Sequence, residues 1–268
     1  DAAARARIAE QWNCERLPEV PGRDTAAILT AATTGELDAL LVGGVELADL
    51  PDPAAARAAI AAAGFVVSLE LRSSAVTELA DVVFPVAPVA EKSGTFVNWE
   101  GRPRPFAAAL PSNATSDSRV LHTLADEVGV DLGDAELPER WSPAICARFS
   151  AVSAENRAQI AEAGQAVLSS WRLRLDSGRL QDGEPHLAAT ARTPVARLAS
   201  ATAAEIGITD DDSSLTVRTE RGSITLPLII TEMPERVVWL PMNSPGSSVH
   251  EQLSASPGDI VTIERGGS

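Results

Sequence analysis

One alternation, between residues 37 and 85, limits the folds open to this chain more than any other feature. Three apolar runs, "LDALLVGGV" (37–45), "FVVSLEL" (65–71) and "DVVFPV" (81–86), have the length and β-branched content of buried strands. Helical punctuation separates them. In "LPDPAAARAAIAAAG" Asp52 caps, Pro53 suits the first helical position, and Gly64 ends an Ala-rich helix. "SAVTELA" (74–80) reads as a second, shorter helix. Strand–helix–strand–helix–strand at this spacing predicts a parallel sheet with helices on its faces.

Upstream, "DTAAILTAATT" (24–34) reads as a helix behind Asp24 as N-cap. The opening "DAAARARIAEQWNC" puts Ile8 and Trp12 on one helical face. It begins with Asp in what reads as a helix already under way, so we expect an internal or C-terminal segment of a longer protein. Downstream, "SDSRVLHTLADEVGV" (116–130) predicts an amphipathic helix with Val120, Leu121, Leu124 and Val128 as its stripe and Gly129 closing it. Residues 131–141 are polar and contain a glycine and a proline, which marks a domain boundary. Ser142-Pro143 opens a short helix, and 153–173 reads as a longer one, with Ile160, Val167, Leu168 and Trp171 at helical spacing. Residues 176–194 are loop-like.

The last 75 or so residues change character. After a short helix at 201–207, "SSLTVRTERGSITLPLII" (213–230) alternates around Arg221-Gly222 and predicts a β-hairpin. "RVVWLP" (236–241) and "GDIVTIER" (258–265) are further strands, giving a small, mostly β domain, a barrel. The expected organisation is an α/β domain over 1–130, a helical and loop connection over 131–190, and a barrel over 191–268.

Function classes can be excluded from content. A net charge of −15 disfavours nucleic acid, whose phosphates reward Lys/Arg stripes. No run approaches the ~20 apolar residues of a membrane span. The two cysteines, Cys14 and Cys146, lie far apart. A disulfide needs the fold to bring them together, and a reducing compartment is the simpler reading. Iron–sulfur clusters need grouped thiolates, which two lone cysteines cannot supply. His122, His186 and His250 stand apart without zinc-ligand spacing, and each reads as a surface or structural histidine. Gly43-Gly44 opens no phosphate-loop motif, and no G-x-S-x-G elbow exists. Asp210-Asp211-Asp212 reads as a solvated turn. We nominate no catalytic, cofactor-binding or metal-ligating residue in this segment.

The stretch "ELADVVFPVAPVAEKSGTFVNWEGRPRPF" (78–106) is harder to read as a plain connection. Pro85 and Pro88 stop the strand. Glu91 and Glu100 have Lys92, Arg102 and Arg104 as ion-pair partners. Gly94 and Gly101 allow close approach or unusual backbone angles, and Phe96 and Trp99 are candidates to pin the loop to a core. Two readings follow: a structural clamp, or the border of a ligand cleft beyond the carboxyl ends of the strands.

Those residues resemble the E-x-A-D-V-x-L-P…E-x-x-G-T-x-x-N-x-E-G-R pattern of the molybdopterin oxidoreductase family. Glu78, Ala80, Asp81, Val82 and Pro85 match its first half; Glu91, Gly94, Thr95, Asn98, Glu100, Gly101 and Arg102 match its second. The tail resembles that family's pterin-dinucleotide-binding domain. The resemblance implies a Rossmann-like α/β domain followed by a small double-psi β-barrel. "NSPGSSV" (243–249) is then either an ordinary turn or a place where Asn243 and the serines bond a pterin. Within the family, "SSWRLRLDSGRLQDGEPHLAATAR" and "VVWLPMNSPGSSVHEQL" look most like the G subunits of the bacterial proton-pumping NADH–quinone oxidoreductases (respiratory complex I), and the Arg and Ala bias fits an actinobacterial member. That likeness implies a molybdenum-free scaffold on the cytoplasmic side of the cell membrane, in a peripheral arm, with the other peripheral-arm subunits as partners, no nucleic acid and no membrane insertion. It further implies [2Fe-2S] and [4Fe-4S] clusters in an upstream part and FMN in a partner subunit, carrying electrons from NADH to quinone. The alternative is the C-terminal half of a molybdopterin-dependent enzyme such as a formate dehydrogenase or nitrate reductase.

Overall fold

The structure is a computed structural model and describes residues 2–11, 15–132, 160–209 and 214–267. The chain divides into two compact units, one of residues 1–45 and 59–153, the other of 46–58 and 154–268. Trp12, Cys14, Cys146, the Ser142-Pro143 helix and the aspartates at 210–212 lie outside the described residues.

In the first unit, α1 (Ala2–Gln11) and α2 (Thr25–Thr33) precede β1 (Ala39–Gly43). Asp24 caps α2 as expected, its carboxylate accepting the Ala27 N–H at 2.8 Å. The helix α3 (Pro53–Ala62), whose residues up to Ala58 are counted with the second unit, starts on Asp52, which accepts the Ala55 N–H at 2.9 Å. Then come β2 (Phe65–Glu70) and β3 (Val82–Pro85). Both neighbouring pairs, β1–β2 and β2–β3, are parallel, and the sheet order is β1-β2-β3. Gly64 turns the chain into β2; a Cβ there would meet the Asp38 carbonyl oxygen at 3.0 Å.

Two local expectations are corrected here. Residues 74–80 do not form a helix. They make one turn in which the Ser74 N–H bonds Thr77 Oγ1 (2.7 Å) and Ser74 Oγ accepts the Thr77 N–H (3.2 Å). A capping box thus closes on itself before a second turn can propagate. Residues 94–106 are an antiparallel hairpin of β4 (Gly94–Val97) and β5 (Pro103–Phe106) rather than an irregular loop. The helix α4 (Asp117–Glu127) follows, capped by Ser116. Its Val120 and Leu124 pack with Leu69 and Phe84 of the sheet. Leu121 is exposed and Val128 more so, and the stripe shifts toward Ala125. Gly129, at φ 74°, ends the helix in the left-handed conformation.

The larger correction lies in the second unit. Residues 165–171, expected within a long helix, are strand β6 (Gln165–Trp171). Ala166 and Leu168 alternate inward, as a strand requires, and Ile160 is exposed. β6 thus falls inside the stretch expected as a connection, yet belongs to the barrel. After α5 (Pro185–Ala188) come β7 (Ala196–Leu198), α6 (Ser200–Glu205), β8 (Ser214–Arg218), β9 (Ser223–Ile230) and β10 (Val237–Pro241). A small hairpin, β11 (Asn243–Ser244) and β12 (Ser247–Ser248), precedes a single π turn (Val249–Leu253) and β13 (Ile260–Arg265). The expected helix at 201–207 and the hairpin at 213–230 are present as α6 and β8–β9.

Six strands close into a barrel in the order β10-β6-β13-β8-β9-β7. Its interior is filled by alternate residues: Leu168, Leu198, Leu215, Ile224, Leu228 and Leu240 are among the fully buried. At about 1.5–3 kcal/mol for each buried branched side chain, this core dominates the unit's stability. Residues 46–58 are tied to the same unit by Arg172–Asp49 and by Arg179–Glu46 at 3.0 Å. Burial alone would lower the Arg172 pKa, but its bonds to Asp176 and Asp49 and their charges outweigh that and raise it above the usual guanidinium value. The group stays charged at any physiological pH.

Candidate functional site

The patterned stretch 78–106 lies wholly in the first unit. Asp81, at the entrance to β3, accepts the Val66 N–H at 2.7 Å and donates its own N–H to the Val66 carbonyl at 2.9 Å. It thereby latches β3 onto β2. At the hairpin tip, Asn98 accepts Gly101 N–H on its backbone carbonyl (2.8 Å) and donates its N–H to the Arg102 carbonyl (3.1 Å). Its side-chain oxygen also takes the N–H groups of Glu100 (3.0 Å) and Arg102 (2.9 Å). Gly101, at φ 79°, supplies the left-handed residue that such a turn needs before the second strand. At Gly94 the requirement is space: a Cβ would lie 2.8 Å from the Phe106 ring. Glu100 pairs with Arg102 at 3.3 Å, and Lys92 pairs with Asp117 at the start of α4.

The expectation that Phe96 and Trp99 pin this stretch to the core is corrected. Phe96 stacks on Phe106 with centroids 5.0 Å apart, within the hairpin, and is 63% exposed. Trp99 occupies the turn and is 95% exposed. A two-stranded hairpin has room to bury aromatic faces only against itself. Gly44, which follows the first strand where a phosphate loop would open, spends its N–H on the Leu69 carbonyl at 3.1 Å.

Within the barrel unit, "NSPGSSV" is a tight hairpin turn with Gly246 at φ 80°. Ser247 Oγ donates to the Pro241 carbonyl at 2.7 Å. Ser244 Oγ and Trp239 Nε1 are buried without a hydrogen-bond partner among the described residues. Trp239 packs against Trp171 (centroids 4.9 Å apart) and under the Arg197 guanidinium, 5.7 Å from its ring. Sequence reasoning missed a cleft of about 650 Å³ lined by Leu173, Arg174, Leu175, Thr190 and Arg192. The signal for it, two arginines converging in an acidic chain, appears only once the loop is folded. The three histidines stand on α4, on α5 and in the π turn; His122 Nδ1 lies 2.8 Å from the Ser118 carbonyl. Among the described residues no group of three His, Cys, Asp or Glu side chains is placed to hold a metal ion.

A pterin cofactor asks for polar groups aimed at a ligand. Asp81, Asn98 and Glu100 instead direct theirs at the chain's own backbone and at Arg102, so these patterned residues do not fit that role. Arg174, Arg192 and Thr190 suit an anionic group such as a phosphate ester, but they are exposed and supply no partner for a pterin ring.

Comparison with known proteins agrees with this anatomy. Residues 3–127 match the family model described as molybdopterin oxidoreductase, and residues 173–264 match the molydopterin dinucleotide binding domain. The two domains named for molybdopterin oxidoreductases are thus both matched, and together they span most of the chain. Among its relatives, it is 54% identical to the G subunit of NADH-quinone oxidoreductase from Mycobacterium bovis over 99% of this chain, and 50% identical to the subunit of the same name from Streptomyces coelicolor over 98%. It spans about one third of the length of these curated relatives, 34% and 33% respectively. The solved structure of acetylene hydratase from Pelobacter acetylenicus shares the fold, with a TM-score of 0.51 over 89% of this chain and 46% of that one, at 16% identity.

Proposed function

We propose that this chain is the structural C-terminal part of the iron–sulfur G subunit of a proton-translocating NADH:quinone oxidoreductase, with no redox centre of its own. The observation that carries this reading is the similarity along nearly the whole chain to relatives of that name. Two features support it. The chain has only two cysteines, too few for any four-thiolate cluster. The polar residues of the family pattern are spent on the sheet edge and the hairpin turn. In this reading electrons pass from NADH through FMN and iron–sulfur clusters held elsewhere, and this part supplies packing surface in a peripheral arm on the cytoplasmic side of the membrane. None of its described helices is long and apolar enough to cross a bilayer. The mix of two parallel and four antiparallel pairings in the closed barrel supports a double-psi assignment, and the parallel β1–β2–β3 order supports a Rossmann-like one for the sheet.

The test is to tag the polypeptide at its own locus and isolate it from cells. NADH:quinone reductase activity with iron and flavin in the preparation is the expected result. A preparation that instead oxidises formate or reduces nitrate would refute the proposal.

A further inference from the structure

Where β3 ends against α4 lies a cleft of about 610 Å³ with an apolar lining and a single charge. Phe84 and Pro85 of β3 and Val120 and Leu124 of α4 supply the apolar part; Val120 is buried, and Phe84 and Leu124 are half-buried. Among the described residues the one charged group lining it is Arg119. The bonds of this residue are made by its backbone, whose N–H is taken by Ser116 Oγ at 3.3 Å and whose carbonyl accepts the Thr123 hydroxyl at 2.8 Å. Its guanidinium has no hydrogen-bond or ion-pair partner among the described residues. A cation with nothing to bond, beside an apolar wall, is unusual in a chain with a net charge of −15.

A second cleft, of about 560 Å³, shares Asn113, Thr115 and Arg119 with the first. It is the polar one. Lys92 and Glu91 line it, and Lys92 is already neutralised by Asp117. Glu91 lines only this polar cleft, so the apolar one holds a cation and no carboxylate. The segment that borders both is shaped to meet a peptide. Thr115 is bridged in parallel to Val86, and its carbonyl accepts the Ala87 N–H at 2.9 Å. Asn113 is exposed and makes no hydrogen bond among the described residues. A carboxamide presents a donor and an acceptor side by side, the pair that a peptide group takes. A lipid acid would use the apolar lining and Arg119 and leave Asn113 idle.

We propose that this double cleft docks an acidic, apolar segment of another subunit. A carboxylate of that segment sits on Arg119 in a charge-assisted bond, an adjacent large apolar side chain lies against Phe84, Val120 and Leu124, and a backbone amide meets Asn113. Charge selects the class of partner. An apolar segment that carries its own carboxylate gains an ion pair at Arg119, whereas one that carries a cation meets repulsion. Arginine beside a desolvated apolar pocket is also the kind of residue that anchors protein interfaces. The proposal rests on the functional reading given above, because a subunit of a larger enzyme has other polypeptides beside it.

Photocross-linking from the cleft tests it. Thr123, an exposed residue of the apolar cleft, is replaced in the full-length polypeptide by p-benzoylphenylalanine, and the assembly is irradiated and isolated from cells. The expected result is a cross-link to another polypeptide, at a segment where Asp or Glu adjoins a large apolar side chain. Arg119→Gln in the same background should lower the yield roughly 10-fold, and Arg119→Lys, which keeps the charge, should restore part of it. Because the guanidinium has no partner within the fold, Arg119→Gln should leave the melting temperature unchanged, so a lost cross-link reports docking and not unfolding. No cross-link overturns the proposal. So does a cross-link to the same polypeptide or a second copy of it, to lipid, or to a segment without a carboxylate, and so does a yield that Arg119→Gln leaves unchanged. NADH:quinone reductase activity of the same preparation separates the two readings. Activity without the cross-link sinks the docking proposal alone, and the cross-link without that activity sinks the functional reading alone.

Discussion

The two β structures of this chain are built from similar residues and reach opposite degrees of completion. In the barrel each of six strands has two neighbours, so no backbone edge is left over, and alternate side chains meet in one interior. Among the described residues the three parallel strands of the sheet leave two edges, and on the face that α4 packs against the cover stops short of Leu41 and Phe65. Leu240 of β10 and Leu41 of β1 make the contrast concrete: the first is fully buried, the second half exposed. A closed sheet solves its solvation problem within one stretch of chain. An open parallel sheet passes that problem to whatever polypeptide lies next to it. Family pattern follows the same division: the patterned residues that sequence comparison finds most readily brace the open unit, where Asp81 and Asn98 substitute for missing packing.

The sharpest way to break this comparison is to make the same deletion in both. Leu240→Ala should cost about 2–5 kcal/mol, because it leaves a cavity in a closed core. Leu41→Ala in this chain alone should cost less than about 1 kcal/mol, since half of that side chain is already in water. Urea unfolding followed by tryptophan fluorescence and circular dichroism reads both. Equal losses would mean that the sheet is as well packed as the barrel.

Next in size is the junction around Arg236. This residue holds φ 52°, outside the region that side chains prefer, and its N–H bonds Thr202 Oγ1 at 2.8 Å. Its guanidinium reaches Glu205 (3.2 Å) and the Ala161 carbonyl (3.1 Å). Thr202→Val keeps the shape but orphans the N–H, and should cost about 1–3 kcal/mol of barrel stability. A change within error would place Arg236 under other control than this bond.

A smaller effect belongs to the hairpin. Asn98→Ala removes the side-chain bonds to the Glu100 and Arg102 amides, and a long one to the Glu100 carboxylate, from an exposed turn and should cost about 1 kcal/mol, felt only locally. Hydrogen exchange should quicken between Gly94 and Phe106 while the barrel is unchanged. Smallest is Arg218→Ala, which breaks an exposed pair with Glu264 at 2.8 Å; the loss should stay within about 1 kcal/mol and shrink with salt.

Sequence reading succeeded where the governing contact is short-range. Asp24 and Asp52 announce their helices through bonds to residues three positions on. The β8–β9 hairpin is closed by a four-residue loop and alternates cleanly, so its period is visible. It failed where distant partners decide. Ala166, Val167 and Leu168 are acceptable helix residues, and only pairing with Val261, Val237 and Val238 makes them a strand. The 94–106 hairpin escaped notice because its prolines, Pro103 and Pro105, and its glycines, Gly94 and Gly101, hide its period. The 95% exposure of Trp99 could not be foreseen, since a tryptophan so close to the apolar pair Phe96-Val97 reads as buried. The site's polar residues were legible as a pattern, but their targets were not: Asn98 bonds the turn that contains it, which sequence leaves open.

Molybdenum content tests the central claim most directly. The account holds that this part of the protein braces the assembly and carries no redox cofactor. Elemental analysis of the purified, active full-length assembly should find iron and no stoichiometric molybdenum, and acid extraction should release no pterin. One molybdenum and its pterin per chain would contradict the account outright.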